Sequence, residues 1–143
     1  MANINEVELD SIELGFRSQG TWGEYAISAF AMKKDNFIFR DTQRQNVDNG
    51  ETSHRGIELA LDYQITPRFS ASTSFTYAKH KYENNAGISR EDVEGKIIDT
   101  APETLGSSRL EWEPTDTLDF ELEWVHIGSY FQDPGNNNKY EGH

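Results

Sequence analysis

Apolar and polar residues alternate along several segments of this chain, and the connections between those segments are short and long in turn. The short connections are residues 19–23, 66–68 and 114–117, and the long polar ones are residues 34–55, 79–103 and 132–143. Successive side chains of a strand point to opposite faces, so the alternation predicts strands with one apolar and one polar face. The connection lengths predict an antiparallel meander with tight turns at one rim and long loops at the other.

Six strands are predicted, at residues 11–18, 24–39, 55–65, 69–82, 105–113 and 118–131. The third is the clearest, because its apolar residues occupy every second position: Ile57, Leu59, Leu61, Tyr63 and Ile65. The second is ambiguous, since it has apolar residues on both faces, Tyr25 and Ile27 against Phe30 and Met32. Alternation indicates one buried face and leaves open whether lipid or protein covers it.

Strand length favours lipid as the cover of the apolar face. Several predicted strands reach about ten residues or more, which is what a tilted strand needs to cross a membrane, whereas strands of soluble proteins usually have about five or six. Tight turns at one rim and long loops at the other are typical of bacterial outer-membrane β-barrels. Aromatic residues near the strand ends fit interfacial girdles, and fit the edge of a soluble core equally well: Trp22, Phe69, Trp112, Tyr77, Tyr82 and Tyr130.

Composition excludes several classes of protein. The 143 residues allow one domain, and a hydrophobic content of 35% is low for a dry, two-sided core. The chain has no run of about 18 apolar residues, as a membrane helix needs, and no cysteine for disulfides or thiolate sites. The net charge of −12 argues against nucleic acid as a partner. Because the first residues lack a signal-peptide pattern, we expect either a cytoplasmic protein or a piece of a longer chain.

Motifs for catalysis or metal binding are not found, so we expect neither an enzyme nor a cofactor. The histidines show no metal-ligand spacing: His54, His80, His126 and His143. His126 falls on the apolar face of its strand and is no indication of heme. The acids of the predicted strand interiors are expected to form a solvated face: Glu58, Asp62, Asp119, Glu121 and Glu123.

Three polar segments of the predicted loops are candidates for sites. The acid-rich residues 89–94 could bind a cation or a ligand, but a solvated loop is the favoured interpretation. Asp48-Asn49-Gly50 and Asp133-Pro134-Gly135 are predicted turns that need no ligand to explain them. The sequence therefore assigns no residue to substrate binding.

Five segments in chain order, at residues 11–17, 29–38, 49–59, 100–105 and 128–143, resemble the C-terminal part of the barrel of TonB-dependent outer-membrane receptors. Ser11-Ile-Glu-Leu-Gly-Phe-Arg17 resembles a recurring strand of the family, and Ala29-Phe-Ala-Met-Lys-Lys-Asp-Asn-Phe-Ile38 resembles the strand that follows it. Asn49-Gly-Glu-Thr-Ser-His-Arg-Gly-Ile-Glu-Leu59 is similar to the family's Asn-x-Gly and Arg-Gly-Val-Glu-Leu stretch. Thr100-Ala-Pro-Glu-Thr-Leu105 resembles a Pro-led strand entry, and residues 128–143 resemble the segment ahead of the last strands.

The resemblance implies an all-β fold, an antiparallel up-and-down meander of about six long strands that is a fragment of a transmembrane barrel of about 22 strands. Residues 1–143 are then a partial barrel, from which the plug domain and the final strands are absent. The implied function is uptake of a scarce ligand, a ferric siderophore or similar iron complex, across the outer membrane of a Gram-negative bacterium. The implied partners are outer-membrane lipid and the TonB complex, the latter through the missing N-terminal parts.

This hypothesis predicts which residues face lipid and which face the lumen. Lipid is expected at Leu59, Leu61, Phe75, Leu122 and Trp124, and the lumen at Glu58, Asp62, Glu121 and Glu123. Residues 79–103, the longest connection, are predicted to be the functional loop. Two alternatives remain open at this point, a soluble all-β ligand-binding module with a dry core and a passive outer-membrane porin.

Overall fold

The structure, a computed structural model, describes residues 5–40 and 44–143. Six strands form one antiparallel sheet in chain order: β1 (Glu8–Gly20), β2 (Gly23–Arg40), β3 (Asn46–Thr66), β4 (Phe69–Tyr82), β5 (Thr104–Thr115) and β6 (Leu118–Ile127). A separate hairpin pairs β7 (Tyr130–Phe131) with β8 (Lys139–Tyr140). The predicted all-β, up-and-down meander of six long strands is therefore confirmed. Within the described ranges, no helix is long and apolar enough to span a membrane.

Three tight turns lie at one rim of the sheet, as predicted. Two residues separate the strands at each of them: 21–22, 67–68 and 116–117. The Arg68 guanidinium links two neighbouring turns, because it donates to the Pro114 carbonyl at 2.8 Å and to the Asp116 carboxylate at 2.7 Å. At the turn formed by residues 21–22, the Trp22 indole stacks on Tyr25 with ring centroids 6.1 Å apart and meets Tyr63 edge-on at 5.4 Å. This rim is thus held by short connections and an aromatic cluster.

The predicted long connection over residues 34–55 is wrong, because β2 and β3 continue through most of it and only residues 41–45 separate them. Its residues 41–43 lie outside the described part of the chain. The predicted turn at Asp48-Asn49-Gly50 is likewise part of β3, and Gly50 pairs with Phe37. In this stretch neither face needs to be apolar, so the strands carry no hydrophobic alternation by which sequence could detect them. Register shifts on either side of Phe37 weaken the pattern further.

The sixth predicted strand is also shorter than expected. It ends at Ile127 instead of Phe131: the Gly128 amide still donates to the Thr104 carbonyl at 2.8 Å, but Tyr130 and Phe131 form β7 and pair with β8. A side chain at Gly128 would lie only 2.1 Å from the Thr104 hydroxyl oxygen. Ile127 exchanges two backbone hydrogen bonds with His143, of 2.8 and 2.9 Å, so residue 143 lies alongside β6.

The strand register assigns every side chain of the sheet to one of two faces. Leu59 pairs with Ile27 on β2 and with Phe75 on β4, and the same parity continues to the other strands. This side, which we call the apolar face, includes Ile12, Leu14, Phe16, Leu61, Leu122 and Trp124. The opposite side, which we call the polar face, includes Glu58, Asp62, Glu121 and Glu123. The predicted division of these residues between two faces is confirmed.

The ambiguous strand β2 has apolar side chains on both faces for a steric reason. Phe30 lies on the polar face directly opposite Gly56, where a Cβ atom would be 2.8 Å from the Phe30 ring. The aromatic ring therefore covers backbone that a glycine leaves bare, a recurring device in sheets. The Phe37 ring covers Gly50 in the same way.

No second layer covers the apolar face in the described part of the chain. Leu14 is 80% exposed and Leu122 is 66% exposed, although both lie in the middle of strands. The buried hydrophobic residues among those described are Ala78, Tyr82 and Val93, all at or beyond the upper end of β4. A soluble module with a dry core buries its apolar side chains between layers, so this alternative does not fit the single sheet.

We expect the isolated 143-residue chain to self-associate in detergent-free buffer. Its apolar face is exposed, and β1 and β6 have free edges that present unpaired backbone groups to other chains. Sedimentation velocity should show oligomers or aggregates in buffer and smaller species in detergent. A monodisperse monomer with a sharp, reversible melt in buffer would contradict the expectation.

Candidate ligand-binding face and outer loop layer

Polar side chains from all six long strands share the polar face. Its central part carries hydroxyl groups that alternate with acids, and an open groove over β1–β4 is lined there by Glu13, Arg17, Ser28, Glu58 and Thr76. Ser28 donates to the Glu58 carboxylate at 3.5 Å, and the Ser74 and Ser107 hydroxyl oxygens are 3.1 Å apart. Hydroxyl and carboxylate groups in such an arrangement can hydrogen-bond a polar solute or water.

Arg109 organises the acids at the short-turn end of the polar face. Its guanidinium lies 3.6 Å from Glu123, 3.7 Å from Glu121 and 4.0 Å from Glu111. All four side chains are about half exposed, so each ion pair is expected to contribute no more than about 1 kcal/mol. Glu121 and Glu123 are therefore part of a solvated face, as the sequence predicts.

Two histidines meet on the polar face near its long-loop end. His54 and His80 are directly opposite each other on β3 and β4, with their Nδ1 atoms 2.8 Å apart. His54 Nε2 lies 3.1 Å from the Thr52 hydroxyl. The two residues are far apart in sequence, and the β3–β4 register, which shifts by one residue between Gln64 and Thr66, makes them partners. No group of three or more His, Cys, Asp or Glu side chains in the described ranges could hold a metal ion.

The other two histidines lie elsewhere. His126 is on the apolar face as predicted, where its ring stacks on Trp124 with centroids 5.6 Å apart. Its Nε2 atom lies 3.1 Å from the Thr104 hydroxyl. His143 contacts the Tyr140 hydroxyl through Nδ1 at 2.6 Å.

Above the long-loop rim, residues 83–103 fold back onto the end of β4. The Tyr82 hydroxyl donates to Asp99 at 2.6 Å, and the Gly95 amide donates to the Tyr82 carbonyl at 2.8 Å. Val93, which belongs to this segment, is fully buried. We call residues 83–103 together with residues 128–143 the outer loop layer.

Asn136 joins the two parts of the outer loop layer. Its side-chain amide mimics a strand partner, accepting from the Ile97 amide at 2.9 Å and donating to the Ile97 carbonyl at 2.8 Å. The Lys96 ammonium donates to the Gly135 carbonyl at 2.8 Å, and the Thr100 amide to the Phe131 carbonyl at 2.7 Å. The layer is therefore a cross-linked unit, which the sequence could not indicate.

The acid-rich residues 89–94 help to build this layer. Glu91 lies 3.6 Å from the Lys96 ammonium and accepts from the Asn137 amide group at 3.1 Å, while Asp92 accepts from the Glu94 backbone at 3.1 Å. The interpretation of residues 89–94 as a solvated loop stays a prediction.

The segment Asp133-Pro134-Gly135 is a turn, as predicted, since the Asn136 amide donates to the Asp133 carbonyl at 3.0 Å. The Asp133 carboxylate accepts from the backbone amides of Asn137 at 3.1 Å and Asn138 at 2.7 Å. Because hydrogen bonds to a carboxylate favour its charged form, these bonds, led by that from Asn137, hold the pKa of Asp133 below its usual range.

A single-layer sheet of long strands, with an exposed apolar face, a polar face and one rim of tight turns, is the architecture of a β-barrel wall. Residues 3–143 match the family described as "TonB dependent receptor-like, beta-barrel". The chain belongs to this family of transport receptors. No curated protein sequence matches it.

Solved structures with the same fold include receptors for iron complexes. The ferric yersiniabactin uptake receptor FyuA from Yersinia pestis is 14% identical, with a TM-score of 0.80 over 96% of this chain and 21% of that receptor. The ferric citrate transporter FecA is 20% identical, with a TM-score of 0.79 over 94% of this chain and 22% of the transporter. The copper transporter OprC is 17% identical, with a TM-score of 0.73 over 98% of this chain and 20% of that transporter. The chain thus spans about a fifth of the length of these proteins.

Proposed function

We propose that the chain is part of the barrel of an outer-membrane active-transport receptor that takes up a ferric siderophore or similar iron complex. The family match over residues 3–143 is the observation that carries the proposal. A plug domain and further strands belong to the rest of the receptor, since six strands cannot close a barrel of about 22. Energy would reach the receptor through the TonB complex.

The apolar face supports placement in the outer membrane. Its side chains are exposed, and the strands that carry them are longer than the strands of soluble proteins usually are. Lipid would cover these side chains. The polar face then borders the lumen, where hydroxyl and carboxylate groups can remain hydrated. On this placement the tight turns are periplasmic, and the outer loop layer lies outside the cell.

The ligands of two structural relatives support an iron complex as the ligand of this receptor. FyuA is a receptor for ferric yersiniabactin and FecA is a transporter of ferric citrate. The outer loop layer supplies polar groups on the side from which a ligand would arrive. A passive porin is the other alternative that the sequence left open. It differs in one testable respect, because transport through a porin needs no energy.

Uptake of iron complexes by cells that express the full-length receptor tests the proposal. A panel of radiolabelled ferric siderophores and ferric citrate should include one that accumulates in these cells and in which accumulation stops when TonB is deleted. Cells without the receptor provide the background. Accumulation that is the same with and without TonB would favour the porin, and no accumulation of any member would overturn the iron ligand.

A further inference from the structure

We propose that Arg55 and Lys79 form a binding site for the phosphate of an anionic lipid in the outer leaflet of the membrane. The site lies at the outer boundary of the apolar face. The inference rests on the proposed function, because it takes the apolar face to be the one that meets lipid. It adds a specific lipid contact to a surface that would otherwise be a uniform apolar wall.

The register places the two cations next to each other at the end of the apolar band. Arg55 on β3 is directly opposite Lys79 on β4, on the same face as the pair Ile57 and Tyr77 two residues nearer the turns. Ile57 is 49% exposed and Tyr77 is 39% exposed, so they offer an apolar surface just below the two charges. A lipid that lay on this surface would bring its headgroup to the level of Arg55 and Lys79.

Neither cation has a protein partner among the described residues. Arg55 and Lys79 are exposed and make no ion pair or side-chain hydrogen bond there. Lys33, on the same face of β2, shows the contrast, because its ammonium lies 3.0 Å from Asp35 and 3.2 Å from Glu51. In a chain with 25 acids and 13 cations, two adjacent unpaired cations are unexpected.

Like charges directly opposite each other on neighbouring strands destabilise a sheet, and an anion bound between them removes that cost. Phosphate suits this pair, since a guanidinium can donate two parallel hydrogen bonds to its oxygens and an ammonium adds a compact charge. Lys81, the next residue on this face of β4, adds a third cation without an ion pair within the described ranges.

Apolar surface below and positive charge above together select a lipid over a soluble anion. The acyl chains would pack on Ile57 and Tyr77, and the phosphate would lie between Arg55 and Lys79 at the interface between lipid and water. Clusters of Lys and Arg at that level are a known means of binding anionic headgroups. A free phosphate ion can contact Arg55 and Lys79 but gains nothing from the apolar surface, so it is expected to bind much more weakly.

The experiment compares lipid binding by the full-length receptor and two matched double variants in detergent. Arg55→Gln with Lys79→Gln removes the proposed site. Arg17→Gln with Lys34→Gln removes the same two residue types from the polar face of the same sheet. Each protein is titrated by native mass spectrometry with bisphosphorylated lipid A, with the same lipid after phosphatase treatment, and with inorganic phosphate.

We expect the unmodified receptor and the polar-face variant to bind phosphorylated lipid with equal affinity and the Arg55 and Lys79 variant to bind it at least tenfold more weakly. Removal of the phosphates should weaken binding to the unmodified receptor by a similar factor, and inorganic phosphate should not compete at equal concentration. Equal binding by all three proteins would overturn the site. Full competition by inorganic phosphate would show an anion site without lipid specificity.

Two further measurements separate the outcomes. Melting temperatures of the two double variants in detergent establish that both are folded, which is expected because all four substituted residues lie at least partly exposed. Uptake of iron complexes by cells that express the unmodified receptor or the Arg55 and Lys79 variant reports on the proposed function independently. Site-dependent lipid binding without any uptake would overturn the transport proposal alone, and uptake without site-dependent lipid binding would overturn the lipid site alone.

Discussion

Replacement of Leu61 by arginine will destabilise the full-length receptor in a lipid bilayer by about 2–4 kcal/mol, the usual cost of this side chain at the lipid-facing midplane of a barrel. Leu61 lies at the centre of the apolar residues of β3, where it pairs with Tyr25 and Thr73. The free energy of unfolding, from urea titration of the receptor folded into phospholipid vesicles, measures the effect.

The neighbouring substitution Ala60→Arg is the matched control. Ala60 lies on the polar face between Glu58 and Asp62, so an arginine there gains acidic neighbours and should change the free energy of unfolding by less than about 1 kcal/mol. A large loss at Ala60 with none at Leu61 would show that the polar face meets lipid. Equal small effects at both positions would remove the support for membrane placement.

The sequence predicted the part of the fold in which apolar and polar residues alternate, because the two faces of those strands meet different environments. Strand β4 begins and ends at Phe69 and Tyr82, as predicted, because apolar side chains alternate with serine and threonine through most of its length. The faces of Leu59 and Glu58 followed from the same rule, since a shift of one residue would exchange them. The turn at 67–68 does not by itself fix the register of its hairpin, because a bulge between Gln64 and Thr66 shifts the pairing by one residue.

Beyond the apolar band, this signal disappears while the hydrogen bonds of the sheet continue. Residues 48–54 of β3 carry no apolar side chain on either face, and turn-forming residues such as Asp48 and Gly50 lie within the strand. Backbone pairing with β2 holds them extended, which a single-sequence pattern cannot detect. Strand ends that project beyond a membrane are therefore the parts that sequence reasoning assigns to loops.

The contacts of the candidate site were less predictable than the strands. His54 and His80 could not be paired by counting back from the turn at 67–68, because a bulge between Gln64 and Thr66 shifts the register by one residue. The bonds between Asn136 and Ile97 join residues 39 positions apart in irregular segments, and no periodic pattern reports such contacts. The sequence could identify residues 79–103 as a long loop, but not that they form a layer with residues 128–143.

The cross-links of the outer loop layer make part of it removable without loss of the sheet. Asn84 ties the layer to β3, because its side chain bonds to the backbone of Glu51 at 3.1 Å and of Asn49 at 2.7 Å. Gly95 is tied to β4 through the Tyr82 carbonyl at 2.8 Å. Residues 85–94 lie between these two anchors, so a short linker can replace them while the anchors and the bonds from Asn136 to Ile97 remain.

Replacement of residues 85–94 by two glycines in the full-length receptor should lower ligand uptake by on the order of tenfold at subsaturating concentration, a loss of about 1.4 kcal/mol in binding. The change removes the buried Val93 and the Glu91 contacts, and with them the ordered surface that would meet the ligand outside the cell. Initial rates of uptake of a radiolabelled iron complex, normalised to receptor at the cell surface, measure the effect.

The barrel should assemble normally in this variant, because every pair between β4 and β5 is retained. Substitution of Asp116-Thr117 by Asn-Gly at the opposite rim keeps a tight turn and provides the control, for which uptake should not change. Unchanged uptake with normal surface expression of the shortened loop would show that residues 85–94 are passive. In the unmodified receptor, a protease-sensitive tag inserted at Gly87 should be cleaved in intact cells, and cleavage only after the periplasm is opened would invert the proposed topology.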